Sequence, residues 1–175
     1  MNKKIVFAIS LTILGAVAIF MYSYLGGWNE VQVSLREVND IRMVGQPFKG
    51  SATSDTLRTI FLSAKEVIGK QQEGTLAILY YKDVDKENNE IDCFAGIMVD
   101  KDSELNVPNF EIKTFQVSKV IRAYFEGHRL VTPDPSTINQ KIRDFAQSQN
   151  LNLQPIFIEK YFSDHAIEVI HLVED

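Results

Sequence analysis

The chain has 175 residues, of which 45% are hydrophobic, and its formal net charge is -5. Its single cysteine, Cys93, excludes an internal disulfide and any metal cluster built on several thiolates. Two of the 18 basic residues, Lys3 and Lys4, lie at the amino terminus, which leaves 16 basic against 23 acidic residues in the rest of the chain. A surface of this charge repels nucleic acids, so we expect no nucleic-acid partner.

The amino-terminal segment has the length and composition of a membrane anchor. Residues 5–25 carry no charged side chain, and a helix of this length reaches about 31 Å, enough to cross the hydrocarbon core of a bilayer. Lys3 and Lys4 precede the segment, whereas the next basic residue is Arg36. The positive-inside rule therefore predicts a single-pass membrane protein with a cytoplasmic amino terminus and an exported domain, either periplasmic or extracellular.

A cleaved secretory signal is the alternative interpretation of this segment, because the small residues at 16–18 resemble a cleavage site. Ile19 and Phe20 extend the apolar run past that site, which favours the uncleaved anchor. We therefore divide the chain into an anchor, residues 1–27, and one domain, residues 28–175. Both interpretations export the domain.

One pattern of elements occurs twice, in residues 31–99 and again in residues 110–173, at an offset of about 79 residues. Each copy shows two strands, an amphipathic helix and two more strands. Ser54 or Asp55 is placed to cap the first helix, and Asp134 the second, in which Pro135 takes the first position. The predicted strands are residues 31–36, 41–48, 75–81, 93–99, 111–117, 119–126, 156–162 and 167–173.

Three short motifs carry a family resemblance: LYYKD at 79–83, CFAG at 93–96 and PIFIEKY at 155–161. In this order they resemble the GyrI-like small-molecule-binding domain, the effector-binding module of multidrug-responsive transcription activators. An anchor followed by such a domain is also similar to the layout of a eukaryotic endoplasmic-reticulum autophagy receptor. The resemblance implies an α+β fold of duplicated β-β-α-β-β units, with an antiparallel sheet, two helices on one face and a ligand cleft on the other.

The resemblance also implies a set of ligand-binding residues. Glu159 corresponds to the acidic residue that points into the cleft of the family, and Tyr161 belongs to the same element. Tyr80 occupies the matching place in the first copy and is expected to face Glu159 across the axis between the halves. Phe48 and Tyr124, in the second strand of each copy, are expected to line the groove.

The residues themselves support two interpretations of Glu159. It follows an apolar run, residues 156–158, and shares a strand face with Phe157 and Tyr161, so its carboxylate is expected to be partly desolvated and to attract a cation or a proton. Aromatic rings beside it can stack flat ligands and hold cations. Alternatively, Glu159 lies on a solvated edge and pairs with a base such as Lys160.

Other chemically active residues indicate no second site. His128, His165 and His171 lack metal-ligand spacing and are expected at the surface. Cys93, beside apolar neighbours, is expected to be a buried and inert thiol. The acidic stretch 83–92 lacks the glycine and the terminal glutamate of a calcium loop. The sequence therefore predicts neither a metal ion nor a cofactor.

The preferred hypothesis is a membrane-anchored binding module that captures an amphipathic or cationic small molecule in a central cleft. A hydrolase of small electrophilic compounds, with Glu159 positioning or deprotonating water, is the enzymatic alternative. A protein-interaction platform with a vestigial cleft is the third, and the sequence names no protein partner for it. No residue is assigned a catalytic role, and binding is favoured over catalysis.

Overall fold

The computed structural model describes residues 3–82, 89–163 and 165–174, and it forms an α+β fold around one antiparallel sheet. Its helices are α1 (Lys3–Tyr24), α2 (Asp55–Gln71) and α3 (Pro135–Ser148), with a short 3-10 helix at Arg129–Val131. The strands in chain order are β1 (Gln32–Glu37), β2 (Ile41–Ser51), β3 (Thr75–Tyr80), β4 (Glu90–Val99), β5 (Glu111–Phe115), β6 (Lys119–Glu126), β7 (Leu153–Ser163) and β8 (Ala166–Val173).

Both helices of the domain begin at the predicted caps. The Ser54 hydroxyl accepts a hydrogen bond from the Thr56 amide at 3.2 Å, and an Asp134 carboxylate oxygen accepts one from the Ser136 amide at 3.1 Å. Pro135 occupies the first turn of α3, where its missing N–H costs no hydrogen bond. These local signals are confirmed because each satisfies backbone donors that the helix itself leaves open.

The sheet has the strand order β1-β6-β8-β7-β3-β4-β2-β5. From the centre outward, one side runs β3, β4, β2, β5, and the other side runs through the equivalent strands β7, β8, β6, β1. Strands β3 and β7 are the central neighbours, and the order on one side of them repeats on the other with the copies exchanged. The first strand of each copy pairs with the second strand of the other copy, β1 with β6 and β5 with β2. The predicted duplication is therefore confirmed.

The axis that relates the two halves passes close to one residue pair. Leu79 of β3 and Ile158 of β7 lie directly opposite each other in the sheet, and their separation of about 79 residues is the offset of the repeat. Both side chains are fully buried. Residues one position further along each strand, Tyr80 and Glu159, are therefore equivalent in the two copies.

The two faces of the sheet are covered differently. One face packs against α2 and α3, and its cluster includes Leu57 and Ile60 of α2 together with Ile138 and Ile142 of α3. The opposite face buries a separate apolar cluster that draws on the central strands, including Leu79 and Ile158. We call these the helix-bearing face and the helix-free face.

Helix α1 stands apart from the core that the other elements share. It is 22 residues long, and its most apolar window has a mean hydropathy of 2.4 with none of its residues buried. The helix is thus long and apolar enough to span a membrane by length and composition. Its orientation, the export of the domain and the division at residue 27 stay predictions. The acidic stretch 83–92 falls largely on residues 83–88, which lie outside the described residues.

We expect Leu79→Ala to lower the free energy of unfolding by about 2–5 kcal/mol, because it empties a fully buried site at the centre of the sheet. Leu62→Ala is the matched control, since Leu62 lies on α2 and is 57% exposed, and its effect should stay within about 0.5 kcal/mol. Urea unfolding of the full chain in detergent measures both. Equal effects of the two substitutions would contradict the central placement of Leu79.

Candidate ligand-binding site

Strand β7 brings Phe157, Glu159 and Tyr161 to one face, because alternate residues of a strand point the same way. Phe157 and Tyr161 pack in the cluster that contains the α2 and α3 side chains. Glu159 therefore lies on the helix-bearing face, with 9% of its surface exposed. The solvated-edge interpretation of Glu159 is wrong, and Lys160 lies on the opposite face of the strand, where it pairs with Glu168.

Two phenols bind the Glu159 carboxylate. The Tyr161 hydroxyl donates a hydrogen bond to Glu159 Oε2 at 2.5 Å, and the Tyr80 hydroxyl donates to the same atom at 3.3 Å. Tyr80 is 8% exposed and reaches across the β3–β7 boundary from the other copy of the repeat. We call these three residues the Glu159 triad, and neither of its bonds uses Glu159 Oε1.

Burial dominates the electrostatics of the Glu159 triad. Desolvation raises the pKa of Glu159 above its ordinary value, although the hydrogen bonds from Tyr161 and Tyr80 act in the opposite direction. Desolvation and the neighbouring carboxylate also raise the pKa of both tyrosines, so each phenol keeps its proton and remains a donor. The site is therefore an acid held among neutral donors in a dry environment.

A row of side chains crosses the sheet beside the Glu159 triad. Tyr80 stacks on Phe157 with ring centroids 4.8 Å apart, and Phe157 stacks on His171 at 5.1 Å. The register explains these stacks, because Tyr80, Phe157 and His171 are direct cross-strand neighbours on β3, β7 and β8. Both faces of the Phe157 ring are therefore covered, one by Tyr80 and the other by His171.

His171 differs from the prediction that the histidines lie at the surface. Only 6% of it is exposed, and its Nε2 lies 3.0 Å from the Asn139 side-chain oxygen of α3. Cys93 agrees with its prediction, since it is fully buried and burial raises the pKa of its thiol to about 12. Across the described residues, no three His, Cys, Asp or Glu side chains are grouped so as to hold a metal ion.

The structure places the other two predicted site residues on different faces. Phe48 of β2 is partly buried against the cluster of the helix-bearing face, and it pairs with Cys93, which in turn pairs with Tyr80. Phe48 thus lies in the same cross-strand row as Tyr80 and is separated from it by Cys93. Tyr124 lies on the helix-free face, where its ring meets Phe162 edge-on at 6.2 Å, so it is not brought together with Glu159.

The helix-free face carries a buried ion cluster that the sequence analysis missed. Glu168 is 4% exposed and forms ion pairs with Arg122 and with Lys160, whose Nζ lies 3.2 Å from Glu168 Oε2. The signal was present, because Glu168 interrupts an apolar strand just as Glu159 does. Sequence periodicity alone does not show which buried acid has a basic partner.

The Glu159 triad is closed in this conformation. The resemblance places a cleft on the face opposite the helices, whereas the three residues lie on the helix-bearing face and cover one another. Two open hollows, of about 340 and 470 Å³, lie elsewhere, around Val38, Asn39 and Ser118 at the β1–β2 and β5–β6 turns. No residue of the Glu159 triad lines either hollow.

Comparison with solved structures identifies proteins of the same fold. A hydrolase from Listeria innocua superposes with a TM-score of 0.59 at 8% identity, over 83% of this chain and 93% of that chain. An uncharacterized conserved protein from Listeria innocua gives 0.62 at 8%, over 82% and 92%. The EcmrR C-terminal domain gives 0.57 at 16%, over 83% and 98%. These likenesses are consistent with the GyrI-like, effector-binding fold.

No family profile matches the chain, and no curated protein matches its sequence. The likeness to solved structures therefore concerns the fold, and the chemistry of the site rests on the residues of this chain.

We expect Glu159→Gln to stabilise the protein at neutral pH. Because burial raises the pKa of Glu159, the folded protein keeps this proton to higher pH than the unfolded chain does, and wild-type stability falls as the pH rises above about 4.5. The amide cannot ionise, so the advantage of the variant should grow with pH, to on the order of 1 kcal/mol. Urea unfolding of the full chain in detergent, from about pH 5 to about pH 8, measures this difference.

Glu66→Gln is the control for this pH series, because Glu66 is exposed and pairs with Lys70 on the surface of α2. Its unfolding free energy should follow that of the wild type over the same range. If the difference between Glu159→Gln and the wild type stayed constant with pH, the raised pKa of Glu159 would be wrong.

Proposed function

We propose that this protein is a membrane-tethered binding module that captures a cationic or amphipathic aromatic small molecule at the Glu159 triad. One observation carries the proposal: a carboxylate buried at the centre of the sheet is held by two neutral phenols. Within the described part of the chain, Glu159 forms no ion pair. A buried acid without a basic partner is the charge arrangement that a cationic ligand completes.

The contrast between the two buried glutamates supports this proposal. Glu168 already has Arg122 and Lys160 beside it, so its charge is compensated within the protein. Among the residues that the structure describes, Glu159 has only hydroxyl donors, both directed at Oε2, which leaves Oε1 as the atom for a ligand cation. The same acid would accept a proton when no ligand is present, which agrees with its raised pKa.

Aromatic side chains supply the rest of the binding surface. Tyr80 and Tyr161 contact the carboxylate through their hydroxyls. The Tyr161 ring and the face of the Tyr80 ring turned away from Phe157 offer aromatic surface that attracts cations and stacks on flat ligands. Phe48 lies in the same cross-strand row as Tyr80. A ligand that is both aromatic and positively charged uses every part of this surface.

Ligand entry requires a movement, because the Glu159 triad is covered in the described conformation. Tyr161 is the more exposed of its two tyrosines and packs at the boundary of two apolar clusters. Rotation of its ring would remove one of the two hydrogen bonds to Glu159 Oε2 and uncover the carboxylate from the side of α2. Opening costs free energy, so only a fraction of the protein is open at any time. The apparent affinity is lower than the affinity of the open state by that fraction.

The amino-terminal helix α1 determines where the domain lies in this proposal. We infer that α1 spans a membrane and that Lys3 and Lys4 hold the amino terminus in the cytoplasm, with the domain on the outer side. The ligand would then be one that reaches the periplasmic or extracellular surface. Neither the net charge nor the site favours a nucleic acid as partner.

We expect Glu159→Gln to weaken the binding of ethidium, a permanently charged aromatic dye, by roughly 10- to 100-fold. This is the effect of losing one charge-assisted contact of about 1.5–3 kcal/mol. The binding of phenanthridine, which has the same ring system and no charge at neutral pH, should change much less. Fluorescence titration of the full chain in detergent measures both affinities.

Glu168→Gln is the matched control, because it also removes a buried carboxylate but on the helix-free face. Its affinity for ethidium should equal that of the wild type. An equal loss in both variants would assign the effect to general destabilisation. Unchanged ethidium binding in Glu159→Gln would contradict the proposed role of Glu159.

A hydrolase is the second candidate function, favoured by the raised pKa of Glu159 and by its contact with the Tyr161 hydroxyl at 2.5 Å. A buried carboxylate of this kind can deprotonate a water molecule, and two of the proteins that share the fold are described as hydrolases. Turnover of small epoxides or esters that disappears in Glu159→Gln and persists in Glu168→Gln would favour hydrolysis. Binding without turnover would favour the module.

A further inference from the structure

The end of strand β6 is bonded to the residues that follow the membrane helix α1. The His128 amide donates a hydrogen bond to the Leu25 carbonyl at 2.7 Å, one residue after α1 ends at Tyr24. The Asn29 side-chain amide donates another to the Glu126 carbonyl at 2.5 Å. Two hydrogen bonds therefore hold this corner of the domain against the point where the anchor ends.

Two glycines allow the backbones to approach at this corner. Gly26 has a positive φ of 82°, and a Cβ placed on it would lie 3.0 Å from the Gly127 Cα and 3.2 Å from the Glu126 carbonyl oxygen. A side chain at residue 26 would therefore be strained and would push the two segments apart. The backbone at Gly26, at the end of the anchor, is therefore packed directly against the backbone of the domain at Gly127.

The short 3-10 helix Arg129–Val131 follows directly and exposes apolar surface. Leu130 is 80% exposed, although large apolar side chains are mostly buried elsewhere in the domain. Its amide donates to His128 Nδ1 at 3.2 Å, which fixes the turn beside the residue bonded to Leu25. Two residues span at most about 7.6 Å, so Leu130 lies within that distance of His128.

The depth of Leu130 follows from the end of α1. If α1 spans the bilayer, Leu25 lies at the boundary between hydrocarbon and headgroups, and the headgroup zone of one leaflet is about 5–8 Å thick. The His128–Leu25 hydrogen bond then holds the turn that carries Leu130 next to this boundary. Trp28 follows Leu25 by three residues. It is also exposed, and its ring meets that of Tyr22 edge-on at 5.0 Å.

We propose that the 3-10 helix Arg129–Val131 is a second membrane contact, in which Leu130 inserts into the lipid interface beside Trp28. Arg129, which is exposed, lies next to it and suits the phosphate of a lipid headgroup. Contact with lipid removes the Leu130 side chain from water. This inference rests on the proposed membrane insertion of α1.

The second contact changes what the anchor does. A single helix joined to a domain by a free linker lets the domain tilt and rotate, whereas two contacts at one corner fix its orientation to the bilayer. The hydrogen bonds at Leu25 and Asn29 already restrain this corner. Insertion of Leu130 completes the restraint from the lipid side.

The test uses tryptophan fluorescence of the full chain in phosphatidylcholine vesicles that contain lipid brominated near the headgroup end of its acyl chains. Trp28 is the only tryptophan, so in the W28F background L130W reports from residue 130 alone. We expect bromolipid to reduce the emission of W28F/L130W by about twofold relative to unbrominated vesicles, because the ring lies in the interface.

W28F/L62W is the matched control, since Leu62 is an exposed leucine on α2, which packs on β2, β3 and β4. Its emission should not change with bromolipid. Flotation of the vesicles distinguishes a failure of α1 to insert from a failure of the second contact. Protein that does not float with the vesicles would refute the membrane insertion of α1, whereas protein that floats while W28F/L130W stays unquenched would overturn the second contact.

A second labelling route covers the case in which the tryptophan variants misfold. Cys93 is fully buried, so L130C and L62C can each carry a nitroxide label in an otherwise native chain. We expect the label of L130C to collide more often with oxygen, which partitions into lipid, than with a water-soluble nickel complex. The reverse preference at L130C, matching that of L62C, would overturn the proposal.

Discussion

The central constraint of the structure is the carboxylate of Glu159, which is buried with no charged partner among the described residues. Two tyrosine hydroxyls offset only part of the free energy that Glu159 loses when it leaves water, as the direction of its pKa shift shows. Folding keeps the acid in place because Phe157, Tyr161 and the helices pack around it. The centre of the sheet therefore holds a group that gains from any proton or cation that reaches it.

Duplication explains how this arrangement forms. The backbone repeats itself around the Leu79 and Ile158 pair, yet the equivalent positions next to that pair carry a phenol in one half and an acid in the other. Two acids there would repel each other, and two phenols would lack a strong acceptor. The difference between the copies thus converts a symmetric junction into a donor and acceptor pair.

Much of the fold could be predicted from the sequence, because period-two strands, helix stripes and the caps at Ser54 and Asp134 are local signals. The contact between Tyr80 and Glu159 was also predicted, since the repeat offset makes them equivalent. The stack of Phe157 on His171 depends on cross-strand register, which alternation does not fix. Tyr124 and Phe125 are adjacent aromatic residues, so the pattern alone does not show which of them faces the helices.

The crossed pairing of the outer strands ties the two halves to each other. Because β1 pairs with β6 and β5 pairs with β2, each half receives its outermost strand from the other half. The chain thus makes within one molecule the kind of strand exchange that separate protomers make in a domain-swapped dimer. A cut between the copies would leave each half dependent on the other for the strand at its edge.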